Sequence, residues 1–335
     1  MKIFLFKKGA ILLSISLIFL LSLILIVFSV IYNIKRSNFF LGGTLKNIKE
    51  YDYYYYENVD ENQADYQNFF RPSSSPILNT KNVNNIFNDN AGIKNYTEVK
   101  LNNDIFKNPE DMILYYYSIL REAYNLEEGL GAGCGSLGVS NVAHMISYNF
   151  LSKEYMNKLN YEDYYNSFKN ILHINLIKLL KVQNDENDNI NQKYFIELET
   201  IQGTKNNSGA FVYYYGFVYV TNQDGLYKIN NIVLYPEIYL CAPYHGWSYS
   251  AESVIDIEYG EWCSMVKQRY ETKYDGDIKN IEFKSFDDKN YVIKFITLTN
   301  DTDVQIGQYV KDKDGNLNEV YINVESCLEK KNNPS

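Results

Sequence analysis

What this chain withholds narrows its chemistry before any motif is considered. It has four cysteines, Cys134, Cys241, Cys263 and Cys327, none in C-x-x-C spacing, so zinc-ribbon and thioredoxin-like readings find no support. Its three histidines, His144, His173 and His245, never fall three or four residues apart, which excludes a helical metal pair. No internal repeat of useful period is apparent. Residues 1–36 contain no acid. The formal charge is −9 overall and −14 beyond residue 36, and an acidic body of that size repels phosphate backbones. Nucleic acid is therefore excluded as a partner of the main domain.

What is present is a chain of 335 residues, 46% hydrophobic and 22% charged, ample for a packed core in one or two domains. Its 33 tyrosines and its asparagine-rich runs follow the codon usage of an AT-rich genome, as in a low-GC bacterium. The stretch "GAILLSISLIFLLSLILIVFSVIY", Gly9 to Tyr32, has no charge and no proline. About 20 apolar helical residues span a bilayer, and a cleavable signal core is shorter, about 7–15 residues. No A-x-A site and no lipid-accepting cysteine follows, so the expectation is a single-pass anchor. It has a short cytoplasmic tail (1–8), a span (9–32), and the bulk of the chain outside the cytoplasm at the cell membrane. "KKGAILL" also resembles the basic-Gly junction cut by prepilin peptidases. Ser14 stands where such pilin-like proteins carry glutamate.

Residues 37–103 lack a sustained period and read as a stalk or linker, with "YDYYYYENVDENQADYQNFFRPSSSP" ending in a Pro/Ser break. A helix opens at Asn108, with Pro109 at its first position and Glu110 and Asp111 at the positive end of the dipole. Ile113, Tyr117, Leu120 and Tyr124 mark one face up to Gly129. "VSNVAHMISYNFLSKEYMNKL" predicts a second helix, and Asn160 with Asp163 a capped third. From His173 the texture turns to strands: "INLIKLLKV", "KYFIELETI", "AFVYYYGFVYVT" and "LYKINNIVLY", with "NQDG" as a hairpin signal. Ile196, Leu198 and Thr200 share one face of their strand, Glu197 and Glu199 the other. Ala251–Tyr270 has helical spacing, and a second meander follows through "IKNIEFKSF", "YVIKFITLTN", "VQIGQYV" and "NEVYINVE".

Three helices followed by an antiparallel meander, with the cadence "FLSKEYMNKLNYEDYYNSF" then "VYVTNQDGLYKINNIVL", resemble the nuclear-transport-factor-two-like superfamily over about residues 105–240. The resemblance implies an α+β cone: a helical hairpin packed on a curved antiparallel sheet (104–243), with a helix and β-meander extension (244–328) packed on it. It also implies a cavity, used by isomerase- and dehydratase-like members for small apolar substrates, while other members only bind or scaffold. Extracytoplasmic members on single-span anchors serve Gram-positive secretion and conjugation. A ketosteroid-isomerase-like site needs an aspartate in an apolar cavity, and none stands out among the strand positions.

Other signals are weighed on their context. "GLGAGCGSLG" contains G-x-G-x-x-G at Gly133, Gly135 and Gly138, but a helix precedes it and the strands read antiparallel, against a dinucleotide fold. Ser136 lacks the first glycine of a nucleophile elbow, that place being Cys134. "DKDG" at Asp312–Gly315 lacks the closing glutamate of a calcium loop and reads as a hairpin. "YLCAPYHGWSYSAESVIDIEYGEWC" concentrates chemistry between Tyr239 and Cys263. A thiol–imidazole dyad of Cys241 or Cys263 with His245 competes there with a structural corner and with an aromatic partner site. The structural corner is favoured, with partner contacts by Tyr244, His245, Trp247 and Tyr249 next and catalysis last; a Cys241–Cys263 disulfide would suit that corner outside the cytoplasm. Four cysteines allow three pairings, and reduced thiols remain the alternative. The expectation is a non-enzymatic scaffold of a cell-envelope assembly of secretion, conjugation or sporulation type. It would bind another envelope protein or its own copies and need no cofactor or metal. An enzyme using the cone cavity and a processed pilin-like surface protein are the alternatives.

Overall fold

The computed structural model describes residues 39–46, 73–123, 125, 140–188, 190–203, 209–237 and 246–332. The apolar run 9–32, the glycine-rich loop, Cys134, Cys241, Tyr244 and His245 lie outside them. Among the described residues no helix is long and apolar enough to cross a membrane.

The protein is α+β, with sheets that are predominantly antiparallel. Strands β1 (Phe39–Phe40), β2 (Gly43–Leu45), β3 (Ile171–Val182), β4 (Asn191–Gly203), β5 (Gly209–Gln223) and β6 (Leu226–Pro236) form one sheet in the order β1-β2-β6-β5-β4-β3. Only β2–β6 is a parallel pair. The β5–β6 hairpin closes as its "NQDG" demands: Asp224 and Gly225 take φ of 54° and 84°. Asn222 accepts the Gly225 amide at 3.0 Å.

Helices α1 (Asn84–Asp89), α2 (Pro109–Arg121), α3 (Ser140–Tyr148), α4 (Lys153–Lys158) and α5 (Tyr161–Asn166) accompany this sheet. Met112, Ile113, Tyr116, Ile119 and Leu120 of α2 bury against Ile174, Leu176, Ile196 and Leu198 in one continuous core. Each large side chain so withdrawn from water contributes about 2 kcal/mol before its entropy loss is counted. The caps are those the sequence signals: Asn108 accepts the Asp111 amide at 2.9 Å, Asn160 that of Asp163 at 3.0 Å. Two helices are shorter than their spacing suggests. The first ends at Arg121, and the second divides at 149–152. There Leu151 bridges to Ile229, and Ser152 caps a new helix through the Tyr155 amide.

The linker expected over 37–103 does not hold at either end. Leu41 is 1% exposed, and the β1–β2 turn is seated on α5's end by Leu41 N–H to Ser167 O and Gly42 N–H to Ser167 Oγ. Gly42 has φ +72°, and a Cβ there would stand 2.7 Å from Tyr116 Oη, so only glycine fits. Asn79 covers the free edge of β3: its Nδ2 donates to Ile174 O and Tyr117 O, and its Oδ1 accepts the Leu176 amide. With the Leu78 amide donating to Leu176 O at 2.8 Å, side chain and backbone together stand in for a neighbouring strand there.

A second sheet lies on the opposite face. Strands β7 (Val266–Arg269), β8 (Lys273–Asp275), β9 (Ile278–Ser285), β10 (Asn290–Thr297), β11 (Asp303–Lys311) and β12 (Leu317–Glu319) follow the order β12-β11-β10-β9-β7, with β8 also on β9. Phe195, Leu180 and Phe217 of the first sheet meet Ile296, Leu298 and Ile306 of the second. The far face of the second sheet is covered by α6 (Ala251–Val254), running into a π-helix at Ile255–Trp262. The helix expected over Ala251–Tyr270 therefore stops early: Ser264 adopts φ +52°, and Val266 already belongs to a strand. Ser250 supplies no side-chain cap; Asp303 accepts the Ala251 amide instead, at 2.9 Å. The last expected strand is confined to Leu317–Glu319, and α7 (Val324–Asn332) follows because Asn323 caps it through the Ser326 amide.

Candidate functional site

The segment singled out from sequence divides. Trp247 and Tyr249 begin the second unit in a 3-10 turn. Trp247 is half-buried and meets Trp262 edge-on at 5.4 Å. Tyr249 is 9% exposed, so it belongs to the interior and not to a partner surface. Cys263 is bonded to Cys327, correcting the expected Cys241–Cys263 link. The π-helix delivers Cys263 against α7, with 4.9 Å between the two Cα atoms. Lys331 strengthens that contact by donating to Glu261 O at 3.1 Å. His144 is buried between the rings of Tyr165 and Phe168. His173 lies 3.0 Å from Asn175 Oδ1, its pKa lowered by burial and by Arg121. The Asp312 carboxylate is occupied by its own turn, accepting the Asp314 and Asn316 amides.

The densest unexpected chemistry lies between the two sheets. A β-bulge between Leu176 and Lys178 reverses the phase of β3 and turns Lys178 away from the helices. Register then aligns Lys178, Glu197, Tyr215 and Tyr235 in one cross-strand row, and Asn175, Glu199 and Tyr213 in the next. Glu237 extends the second row, its amide donating to Tyr213 O at 3.0 Å. Read alone, Glu197 and Glu199 form a solvent face. The turn after β10 meets that face at Glu197 and the segment at Ser73 meets it at Glu199, leaving them 0% and 3% exposed.

The three glutamates are satisfied unequally. Glu199 accepts from the Ser73 amide at 2.6 Å, Asn175 Nδ2 at 2.9 Å and Tyr213 Oη at 3.0 Å. Glu197 Oε1 accepts the Thr299 amide at 2.8 Å, and its Oε2 lies 3.0 Å from Lys178 Nζ. Lys178 also donates to Thr297 O and sits 3.2 Å from Asp277, so it bridges both sheets. Glu237 is buried, and its Oε1, like Glu197 Oε2 apart from the Lys178 ion pair, has no hydrogen-bond partner among the described residues. Burial first, then the negative Glu197, push the Glu237 carboxyl well above the usual range, and Lys178 offsets this only partly.

The space between helices and sheet is filled by Tyr116, Tyr155, Tyr164 and Phe168, all nearly inaccessible. Tyr164 Oη lies 2.7 Å from Ser147 Oγ and 3.2 Å from Tyr116 Oη, and Tyr155 donates to Gly42 O at 3.0 Å. A cavity of about 190 Å³ lies between the β3–β4 turn and β11, lined by Gln183, Asp185, Lys193, Phe217, Gln308 and Tyr321 among others. Gln183 bonds Val320 O and the Gln308 amide, and Lys193 pairs with Asp185 over the Phe217 ring. Lys228, which burial lowers to about 8, stands 3.6 Å over the Phe106 ring and donates to Asn149 O at the end of α3.

Sequence reasoning missed Lys178, Glu237 and Asn79. The usable signal was the broken alternation of "INLIKLLKV", which marks the bulge and places a lysine opposite Glu197. The chain matches no protein-family model, no curated protein and no solved structure.

Proposed function

We propose that this chain is a single-pass, membrane-anchored extracytoplasmic protein that works as a non-enzymatic binding or scaffold component of a cell-envelope assembly. The observation that carries the proposal is the Cys263–Cys327 disulfide, since such bonds persist in oxidising compartments and are rare in the cytosol. The apolar run Gly9–Tyr32 supplies the anchor, and Phe39 is already paired in the sheet seven residues beyond Tyr32. Helices on one face of an antiparallel sheet agree with the nuclear-transport-factor-two-like resemblance. The tyrosine-filled interior weighs against a substrate cavity in that sheet, and hence against the isomerase- or dehydratase-like alternative.

With Tyr249 buried, the described aromatic surface best suited to a partner protein is the broken outer edge of the second sheet. Tyr274 there is 67% exposed, and Phe286, in the β9–β10 turn at the opposite end of β9, is 66% exposed. Lys267, Arg269 and Lys273 along the same edge discourage unlimited strand pairing. The test is thiol trapping in acid-quenched cells. Cys263 and Cys327 should resist alkylation until reductant is added, and their ready alkylation beforehand would sink the proposal. Tyr274→Ser with Phe286→Ser should abolish in-cell crosslinks to the partner while leaving the melting temperature unchanged.

A further inference from the structure

We infer that Glu197 and Glu237 form a proton-dependent latch between the two sheets: one shared proton keeps the second sheet seated on the first, and its loss loosens the seam. The geometry places every requirement at one point. Glu197, in β4, reaches across the seam to the Thr299 amide at 2.8 Å, in the turn between β10 and β11. Lys178, in β3, crosses it to Thr297 O and Asp277. Glu237, held at the end of β6 by its amide bond to Tyr213 O at 3.0 Å, presents Oε1, and Glu197 presents Oε2; both oxygens are buried without a hydrogen-bond partner among the described residues, Glu197 Oε2 having only the Lys178 ion pair.

Among the described residues, β3 sets Lys178 near Glu237, β4 sets Glu197 and, through Tyr213, Glu199, and β5 sets the Tyr213 phenol; Asp277 of the second sheet, its carboxylate largely in water, reaches this group through Lys178. With Glu237 protonated, Lys178 balances Glu197. With Glu237 ionised, one lysine faces two covered carboxylates. The added charge then competes for Lys178 against its contacts in the second sheet, and those contacts are what cross the seam.

The direction follows from linkage. A carboxyl raised by folding stabilises the closed seam fully at and below its ordinary range. That contribution is lost as pH climbs from there through the raised value, by at most tenfold in the equilibrium per pH unit. A pH-tunable seam lets the compartment's acidity set how firmly the second unit is held, independently of the anchor.

Hydrogen exchange on the full-length chain in detergent micelles tests this through the peptide spanning 297–303. After correction for intrinsic rates, its protection should fall as pH rises from about 5 to about 9, approaching tenfold per unit where Glu237 titrates. The α2 peptide 112–120 should stay level. In Glu237→Gln the 297–303 peptide should remain at its acid value throughout. A level response in the parent overturns the latch without reference to any variant. A slope in Glu237→Gln equal to the parent's overturns the assignment to this pair.

Discussion

Replacing Lys178 by methionine tests the inter-sheet site most sharply. Lys178 is the cation beside Glu197, and Glu197 is fully covered. Removing one partner of a buried pair leaves the other charge uncompensated, so Lys178→Met should lose about 3–5 kcal/mol at neutral pH. Lys178→Met with Glu197→Gln, which removes both charges, should lie within about 1.5 kcal/mol of the parent. The assay is denaturant unfolding followed by tryptophan emission. Both tryptophans, Trp247 and Trp262, sit in the second unit and report its release. A single variant that costs under about 1 kcal/mol at pH 7, or a double variant no better than the single, would refute the buried-pair reasoning.

Three further outcomes follow. Asn79→Ala strands the Leu176 amide and the Ile174 carbonyl, so it should cost about 2–3 kcal/mol by denaturant melt; less than about 1 would mean that edge is open to water. Cys263→Ser frees a loop of 64 residues, which chain entropy puts at about 4 kcal/mol under oxidising conditions, and the difference from the parent should vanish in reductant. Gly42→Ala forces a positive φ and meets Tyr116 Oη at 2.7 Å, so it should lower stability by about 2 kcal/mol, read as a thermal shift.

The sequence carried the local structure well where a residue acts on its own neighbours. Asn108 and Asn160 cap, Asp224-Gly225 turns, and the four long strands follow β-branched and aromatic runs. It failed where a distant element decides. Glu197 and Glu199 alternate with apolar residues as a solvent face should, and only segments more than 100 residues away in sequence, at Thr299 and at Ser73, cover them. Residues 39–45 look like linker because a two- and a three-residue strand carry almost no periodicity; their place is set by Ser167 and Tyr155. Cysteine pairing was illegible for the same reason, since the π-helix and α7 meet only once the second sheet has formed. The candidate site thus lies where three separate segments converge, and no window of sequence contains it.

Everything functional here rests on which side of the membrane the two sheets occupy. Protease added to intact cells, with immunoblotting against an epitope in residues 278–311, decides it. The account predicts that the epitope is lost in whole cells and survives in sealed inverted vesicles until detergent is added. Survival in whole cells with loss in inverted vesicles would place the disulfide and the latch in the cytoplasm and contradict the account.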